Sequence, residues 1–271
     1  MDKRQVAIRN NVRIQGEGDE VLLFAHGFGC DQTIWNQVID DLKSHYRIVT
    51  FDYVGCGDSD FGRYINKRYE SLDGYARDLI DVVETIDADS ITLIGHSVSG
   101  SIACLAYPSI KHKVKRMIML NPSPRYIHDP PEYQSGFSKE DVDELMVLME
   151  QNFFGWAQYL SPQVMENADR PSLAKTLEKY FTAGDAQLTR NFAKATFYSD
   201  VRDTLEKVDC PVGILQARAD IVVPLNVSEY MAQKLPNATM HVLDAKGHYP
   251  QLSAPQLIAE HIESAQQGFT E

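Results

Sequence analysis

Ser97 stands in a sequence context that is typical of a catalytic nucleophile. The segment GHSVSG (95–100) follows the apolar run ITLIG (91–95) directly and leads into the helix-compatible SIACLAY (101–107). On a sharp turn between a strand and a helix, a serine hydroxyl is exposed at the sheet edge, and the helix N-terminus directs N–H groups at developing negative charge. The pattern departs from G-x-S-x-G because Ser99 replaces the last glycine, but serine is small enough for that position. We therefore predict that Ser97 is a nucleophile.

A nucleophilic serine needs a base that takes its proton and an acid that orients the base. In the chain order Ser…Asp…His, the acid follows a late strand and the histidine follows the last strand. Asp220 comes just after the apolar run VGILQA (212–217), and His248 comes just after TMHVL (239–243). Asp209 precedes its strand and so belongs at the opposite edge of the sheet. Asp220 and His248 are therefore the predicted partners of the serine.

Two backbone N–H groups are predicted to stabilise the oxyanion that serine attack creates. One belongs to Val98, the residue after the nucleophile. The other belongs to Phe28, in the loop HGFG (26–29) after the apolar run VLLFA (21–25). Each donor of this kind typically contributes about 10²–10³ in rate.

Other site chemistries find little support in the sequence. There is no HxxH, HExxH or carboxylate cluster that predicts a metal site. The segments GFG (27–29) and GCG (55–57) each lack the third glycine of a dinucleotide-binding loop. His96 adjoins the nucleophile, and two roles stay open for it, bordering a pocket or packing. We predict neither a metal nor a cofactor.

Composition narrows the class of protein. The 271 residues carry a formal net charge of −12 and are 44% hydrophobic, which provides for a sizeable core and excludes a disordered chain. An acidic surface repels phosphate, so nucleic acid and anionic membranes are poor partners. Residues 90–110 lack charge but include proline, histidine and five serines, a poor composition for a membrane span. No signal peptide is evident, and the four scattered cysteines fit a reducing cytoplasm, the predicted location.

The predicted elements alternate between strands and helices. Residues 6–9 and 12–15 are predicted as short strands joined through Asn10 and Asn11. Six continuous apolar runs predict strands that are covered on both faces, namely 21–25, 47–51, 91–95, 114–120, 212–217 and 239–243. Helices with one apolar stripe fall between them, over 33–45 and 72–86. This pattern indicates an α/β protein with a mostly parallel sheet of eight strands.

Residues 123–198 interrupt the alternation with a helical pattern. Their apolar residues follow helical spacing, and prolines with Gly184 divide them into about four helices. The segment holds 12 of the 26 aromatic residues of the chain. Two interpretations stay open: the rings line an apolar ligand cavity beneath a lid, or they only attach the lid to the sheet.

The whole chain resembles the α/β-hydrolase superfamily, and within it the RsbQ-type proteins, which include a bacterial stress-response regulator and plant strigolactone and karrikin receptors. The segments that carry this resemblance are GHSVSG (95–100), HGFGCDQTIW (26–35), FDYVGCGDSD (51–60), SLDGYARDL (71–79), PSPRYIHDPPEYQSGF (122–137) and FAKATFYSD (192–200). The resemblance implies an α/β-hydrolase fold with an inserted four-helix lid. The core would comprise residues 1–122 and 199–271, and the lid residues 123–198.

The resemblance also implies a hydrophobic substrate pocket beneath the lid. Carried over position by position, its residues would be Phe28, Tyr126, Phe137, Trp156, Leu160, Phe181, Phe197 and Ile221. We add Tyr159 to the predicted pocket because it lies next to Leu160 on a predicted helix; the resemblance does not imply it.

We expect a serine hydrolase that cleaves a small lipophilic ester or lactone through an acyl-enzyme. Dehalogenases and epoxide hydrolases of this superfamily use aspartate where this chain has Ser97. Lyases and C–C hydrolases that keep the same triad stay open. The alternative function is ligand-sensing signalling with slow hydrolysis, in which a regulatory protein partner would be a phosphatase with a ligand-sensing domain.

Overall fold

A seven-stranded sheet forms the centre of the molecule in the computed structural model, which describes residues 2–268. Its strands are β1 (Arg13–Gln15), β2 (Val21–Ala25), β3 (Arg47–Thr50), β4 (Ile91–His96), β5 (Val114–Leu120), β6 (Val212–Ala219) and β7 (Ala238–Lys246). Their spatial order is β1-β3-β2-β4-β5-β6-β7. Every pairing is parallel except that of β1 with β3. The predicted α/β class and mostly parallel sheet are thereby confirmed.

The central strands lie between helices on both faces, which explains their unbroken apolar sequence. All residues of β2 and β4 are buried. Leu23 of β2 is in register with Val49 of β3 on one side and with Leu93 of β4 on the other. Parallel strands covered on both faces have no polar side to expose.

Helices flank this sheet and follow most strands. They are α1 (Lys3–Arg9), α2 (Asn36–Leu42), α3 (Leu72–Thr85), α4 (Val98–Ile110), α5 (Lys139–Gln151), α6 (Phe153–Met165), α7 (Pro171–Ala183), α8 (Ala186–Phe197), α9 (Leu225–Lys234), α10 (Pro250–Ser253) and α11 (Pro255–Gln266). Short 3-10 turns cover Gln32–Trp35, Phe61–Arg63, Asn66–Arg68 and Arg202–Lys207. Among residues 2–268 no helix combines the length and apolarity that crossing a membrane requires.

The predicted strand over residues 6–9 is wrong, because these residues belong to α1, and the sheet therefore has seven strands instead of eight. A strand would place Val6 and Ile8 on one face, yet Val6 is buried and Ile8 is exposed. Val6 instead shares the buried helix face with Arg9, whose guanidinium pairs with Asp78 at 3.5 Å and Asp81 at 2.9 Å on α3. These long-range ion pairs fix the segment as a helix.

Four helices, α5 to α8, lie between β5 and β6, as the lid prediction requires. Local capping defines their starts: Ser138 and Asp141 form a capping box on α5, and Asp185 accepts hydrogen bonds from two N–H groups of α8. In this arrangement α5 packs against α6 and α8, and α6 packs against α7. Val164 of α6 and Phe197 of α8 line one cavity together with Ser97, so the lid lies over the carboxyl edge of the sheet, where β4 ends at the predicted nucleophile.

Candidate active site

Ser97 occupies a strained turn between β4 and α4. Its backbone has φ 55° and ψ −120°, a conformation that a non-glycine residue seldom adopts and that costs on the order of 1–3 kcal/mol. Glycines make the turn sterically feasible. A Cβ on Gly95 would lie 3.1 Å from the backbone of Ser99, and one on Gly100 would lie 2.9 Å from Pro122 Cβ.

The structure brings together all three residues of the predicted triad. Ser97 Oγ lies 2.8 Å from His248 Nε2, and His248 Nδ1 lies 2.7 Å from Asp220 Oδ2. All three residues are buried. Asp220 Oδ1 accepts hydrogen bonds from the N–H groups of Val222 and Val223, at 2.8 and 3.1 Å. Both carboxylate oxygens are thus engaged, and the carboxylate acts as an acceptor for a proton on His248 Nδ1, which leaves Nε2 free to accept from the serine.

The lid and the core together hold His248 in place. Its backbone N–H donates to Val164 O on α6 at 2.7 Å, and its carbonyl accepts from His96 Nε2 at 2.7 Å. Gly247 has φ 85°, and a Cβ there would lie 2.1 Å from Met165 O. Of the two roles left open for His96, packing is the one observed, since the ring is fully buried. Burial, and secondly the neighbouring His248, lower the pKa of His96 well below its usual value.

The two predicted oxyanion donors lie beside the serine with their N–H groups unused. Val98 is the first residue of α4, so its N–H has no acceptor within the helix. Neither this group nor the Phe28 N–H has a hydrogen-bond acceptor among residues 2–268. The Ser99 hydroxyl donates to His26 O and so ties the loop of Phe28 to the start of α4. Donation to an oxyanion by these groups stays a prediction.

A small cavity of about 30 Å³ adjoins the serine hydroxyl. Five of the predicted pocket residues line it: Phe28, Tyr126, Leu160, Phe181 and Phe197. Sequence reasoning missed four further lining residues, Val164, Thr196, Val222 and Tyr249. Helical spacing was the available signal for Val164, which lies one turn after Leu160 on α6.

The structure places the other predicted pocket residues elsewhere. Phe137, Tyr159 and Ile221 line an outer groove of about 610 Å³ between α5 and α6. On α6 the inner face carries Leu160, and Tyr159 points about 100° away and is 59% exposed. Ile221 is 44% exposed, whereas its neighbour Val222 lines the cavity. These three therefore do not line the cavity beside Ser97, although Leu160 borders both spaces. Their contact with substrate stays a prediction.

Aromatic rings pack around Phe28 and fill most of the space beneath the lid. The Phe28 ring centroid lies 5.6 Å from that of Phe197, 6.1 Å from Trp156 and 6.3 Å from Phe181. Trp156 is fully buried behind this layer and does not line the cavity, and its predicted role in the substrate pocket stays a prediction. Both interpretations therefore find support: some lid aromatics line a cavity, and others contact the core.

Tyr126 makes a contact that sequence reasoning did not anticipate. Its hydroxyl lies 3.0 Å from Ser97 Oγ, so the serine oxygen has two hydrogen-bond partners. Burial raises the pKa of the Tyr126 phenol, which keeps it protonated. No sequence pattern marks this contact, because the loop after β5 brings the residue back to the serine.

Metal-binding geometry is not evident in the site. Among the residues that the structure describes, no group of three or more His, Cys, Asp or Glu side chains is arranged to hold an ion.

Comparisons with known proteins agree with the fold. A family model described as alpha/beta hydrolase fold matches residues 20–255. A karrikin insensitive 2 receptor of Petunia hybrida is 33% identical over 92% of this chain and 92% of its own length. A strigolactone esterase of Pisum sativum is 30% identical over 94% of this chain and 96% of its own. The structure of a hydrolase from Oleispira antarctica superposes with a TM-score of 0.95 at 37% identity, covering 99% of this chain and 98% of the other.

Proposed function

Because the chain belongs to the α/β-hydrolase family, we propose that it is a carboxylic-ester hydrolase with Ser97 as nucleophile, His248 as general base and Asp220 as the acid that orients the histidine. The observation that carries this proposal is the unbroken hydrogen-bond chain from Ser97 Oγ through His248 to Asp220, at 2.8 and 2.7 Å. Esterase-named relatives support hydrolase activity.

In the acylation step, Ser97 Oγ attacks the ester carbonyl carbon while its proton passes to His248 Nε2. Negative charge develops on the former carbonyl oxygen, and the N–H groups of Phe28 and Val98 are the donors proposed to stabilise it. The bond to the alcohol oxygen then breaks, and Nε2 returns the proton to that oxygen. The products are the free alcohol and an ester between the acyl group and Ser97.

In the deacylation step, water attacks the acyl carbon and gives a proton to His248 Nε2. The bond between the acyl carbon and Ser97 Oγ breaks, and Oγ takes up that proton. The carboxylic acid leaves and the serine hydroxyl is restored. A lactone follows the same course, with both products joined in one hydroxy acid.

The proposed substrate class is a neutral, apolar ester or lactone with a small acyl group. The cavity beside the serine has a volume of about 30 Å³ and is lined mostly by Phe, Leu and Val side chains. No Lys or Arg lines it, so a carboxylate on the acyl group would lose its hydration without gaining a counter-ion.

The test compares wild type with Ser97→Ala on p-nitrophenyl acetate and asks whether a fluorophosphonate labels Ser97. We expect the variant to lose at least 10³-fold in kcat/KM and to lose labelling. Ser101→Ala is the matched control, because it also removes a buried hydroxyl, one that donates to Ser123 O. Ser97→Ala activity within tenfold of wild type would overturn the assignment.

The second candidate function is ligand sensing with slow turnover, in which the protein would bind a regulatory protein partner. The receptor-named relative of Petunia hybrida supports it. Ligand sensing differs from the esterase function in the rate of turnover. A lactone that raises the melting temperature of wild type, and of which each protein molecule hydrolyses only one in many minutes, would favour sensing. Rapid multiple turnover would favour the enzyme.

A further inference from the structure

We propose that Tyr126 is a further catalytic residue, whose hydroxyl donates a hydrogen bond to Ser97 Oγ and stabilises that oxygen as it leaves the acyl group during deacylation. The inference rests on the proposed function, since it concerns the second half of the same reaction. It starts from the 3.0 Å contact between Tyr126 Oη and Ser97 Oγ.

Proton counting determines the direction of this hydrogen bond. The Asp220 carboxylate can only accept, so His248 Nδ1 carries a proton and Nε2 accepts from Ser97. Ser97 has a single proton, which is thereby committed to His248. Tyr126 is 1% exposed, and a buried hydroxyl needs an acceptor. The arrangement that satisfies every group has Tyr126 donating to Ser97, and Ser97 donating to His248.

The loop after β5 fixes the Tyr126 hydroxyl where it can act. The carbonyl of the preceding residue, Arg125, accepts hydrogen bonds from Ser123 Oγ at 2.7 Å, Tyr133 Oη at 2.7 Å and Ser135 Oγ at 3.0 Å. The Tyr126 ring packs against Phe197, with centroids 5.3 Å apart. A donor held in this way needs no reorganisation when charge develops on its acceptor.

The strength of this hydrogen bond must change during the cycle, because the serine oxygen changes its chemistry. In the free enzyme Oγ is a hydroxyl oxygen and a good acceptor. In the acyl-enzyme it is an ester oxygen, whose lone pair is delocalised into the carbonyl, and it accepts weakly. As the acyl–Oγ bond breaks, electron density returns to Oγ before His248 Nε2 delivers the proton, and Tyr126 keeps its own proton throughout.

An interaction accelerates a step only when it is stronger in the transition state than in the ground state. For deacylation, the ground state has the weak hydrogen bond and the transition state has the strong one. For acylation, the ground state already has a good hydrogen bond, so less is gained. Tyr126 is therefore expected to accelerate deacylation more than acylation.

The experiment measures the two rate constants separately in wild type and Tyr126→Phe. With enzyme in excess over p-nitrophenyl acetate, release of p-nitrophenol gives acylation, and intact-protein mass spectrometry of quenched samples gives the decay of the acyl-enzyme. We expect deacylation to slow about 10- to 100-fold, the range for a hydrogen bond to a charged acceptor, and acylation to change less than threefold. Acyl-enzyme then accumulates at steady state.

Tyr107→Phe is the matched control, because it also removes a phenol hydroxyl from a buried residue, one that donates to Asp209 at the opposite edge of the sheet and does not touch the serine. The control should keep the wild-type ratio of the two rate constants. Equal slowing of both steps in Tyr126→Phe, or no slowing of deacylation, would overturn the inference and mean that the hydroxyl only supports the fold.

A second variant keeps the test decisive if the phenylalanine variant folds poorly. Substituting 3-fluorotyrosine at position 126 retains the shape and makes the hydroxyl a stronger donor, so deacylation should become faster than in wild type. An unchanged deacylation rate would overturn the inference. The proposed function fails separately, when the wild-type protein forms no acyl-enzyme on Ser97 at all.

Discussion

The Ser99 hydroxyl donates a hydrogen bond to the backbone carbonyl of His26 at 2.5 Å, and so joins the turn of Ser97 to the loop that carries Phe28. Tyr53 Oη lies 3.0 Å from Ser99 Oγ. Because the Ser99 proton goes to His26, Tyr53 is the donor in this second contact. The residue at which the sequence departs from G-x-S-x-G therefore connects the two predicted oxyanion donors.

Ser99→Ala should lower both stability and kcat. The change leaves the His26 carbonyl and the Tyr53 hydroxyl buried without partners, which we expect to cost about 1–3 kcal/mol in free energy of unfolding. It also frees the Phe28 loop, so kcat should fall while KM stays similar. Urea unfolding and ester kinetics measure the two effects. Tyr53→Phe is the control, since it removes only the second contact; if it lowers kcat as much as Ser99→Ala, the tie to His26 is not the cause.

Asp220→Asn should preserve the fold and reduce kcat by about 10⁴-fold, as loss of the correct histidine tautomer does in serine hydrolysis. Val222 N–H and Val223 N–H both point at Oδ1, so the amide oxygen must take that position. The amide NH₂ then faces His248 Nδ1 and forces the proton to Nε2, which can no longer accept from Ser97. Stopped-flow kinetics with a p-nitrophenyl ester give the loss.

Asp209→Asn provides the comparison for that measurement. Asp209 precedes β6, at the opposite edge of the sheet, and accepts a hydrogen bond from Tyr107 Oη. Activity should stay near wild type in this variant. Full activity in Asp220→Asn would instead require a different carboxylate to orient His248.

The proximity of Ser97, Asp220 and His248 could be predicted from the sequence because it depends on the order of strands. Asp220 follows β6 and His248 follows β7, and the carboxyl ends of parallel strands meet at one edge of the sheet. The central strand β2 is a continuous apolar run that is buried throughout, a strong local signal. Topology then brings residues that lie far apart in the chain to within hydrogen-bond distance.

The rest depends on contacts that no local pattern encodes. Arg9 forms a helix with its neighbours through ion pairs with α3, so residues 6–9 were mistaken for a strand. Tyr159 lies one residue before Leu160, and that single step of helix phase moves it from the cavity to the outer groove. The Tyr126–Ser97 contact depends on how a loop packs against the core.

The buried His96 should make wild type more sensitive to acid than His96→Gln. Burial lowers the pKa of His96, so the native state keeps it neutral while the unfolded state takes up a proton below about pH 6.5. The unfolded state then binds more protons, and the stability present above that pH is lost as the pH falls toward the native pKa. Protonated Nδ1 would be a buried donor with no acceptor among the described residues.

Urea unfolding of both proteins at intervals from pH 7.5 to 5 measures this difference. Below pH 6.5 the free energy of unfolding of wild type should fall by up to about 1.4 kcal/mol per pH unit more steeply than that of the variant. Glutamine keeps a donor for the His248 carbonyl, so the difference reports on titration. Parallel curves would mean that His96 takes up its proton equally in both states.

Leu160→Ala should move the preferred acyl group of the substrate toward greater length. Leu160 borders both the 30 Å³ cavity at Ser97 and the 610 Å³ outer groove, so truncating it joins the two spaces. Wild type should lose activity once the acyl chain outgrows the inner cavity. In the variant, each added methylene that becomes buried contributes about 0.8 kcal/mol, which is about a fourfold gain in kcat/KM.

Leu148→Ala, which alters the groove alone, should keep the wild-type optimum. A series of p-nitrophenyl esters from acetate to octanoate gives the comparison, and an unmoved optimum in Leu160→Ala would show that this side chain does not limit acyl length.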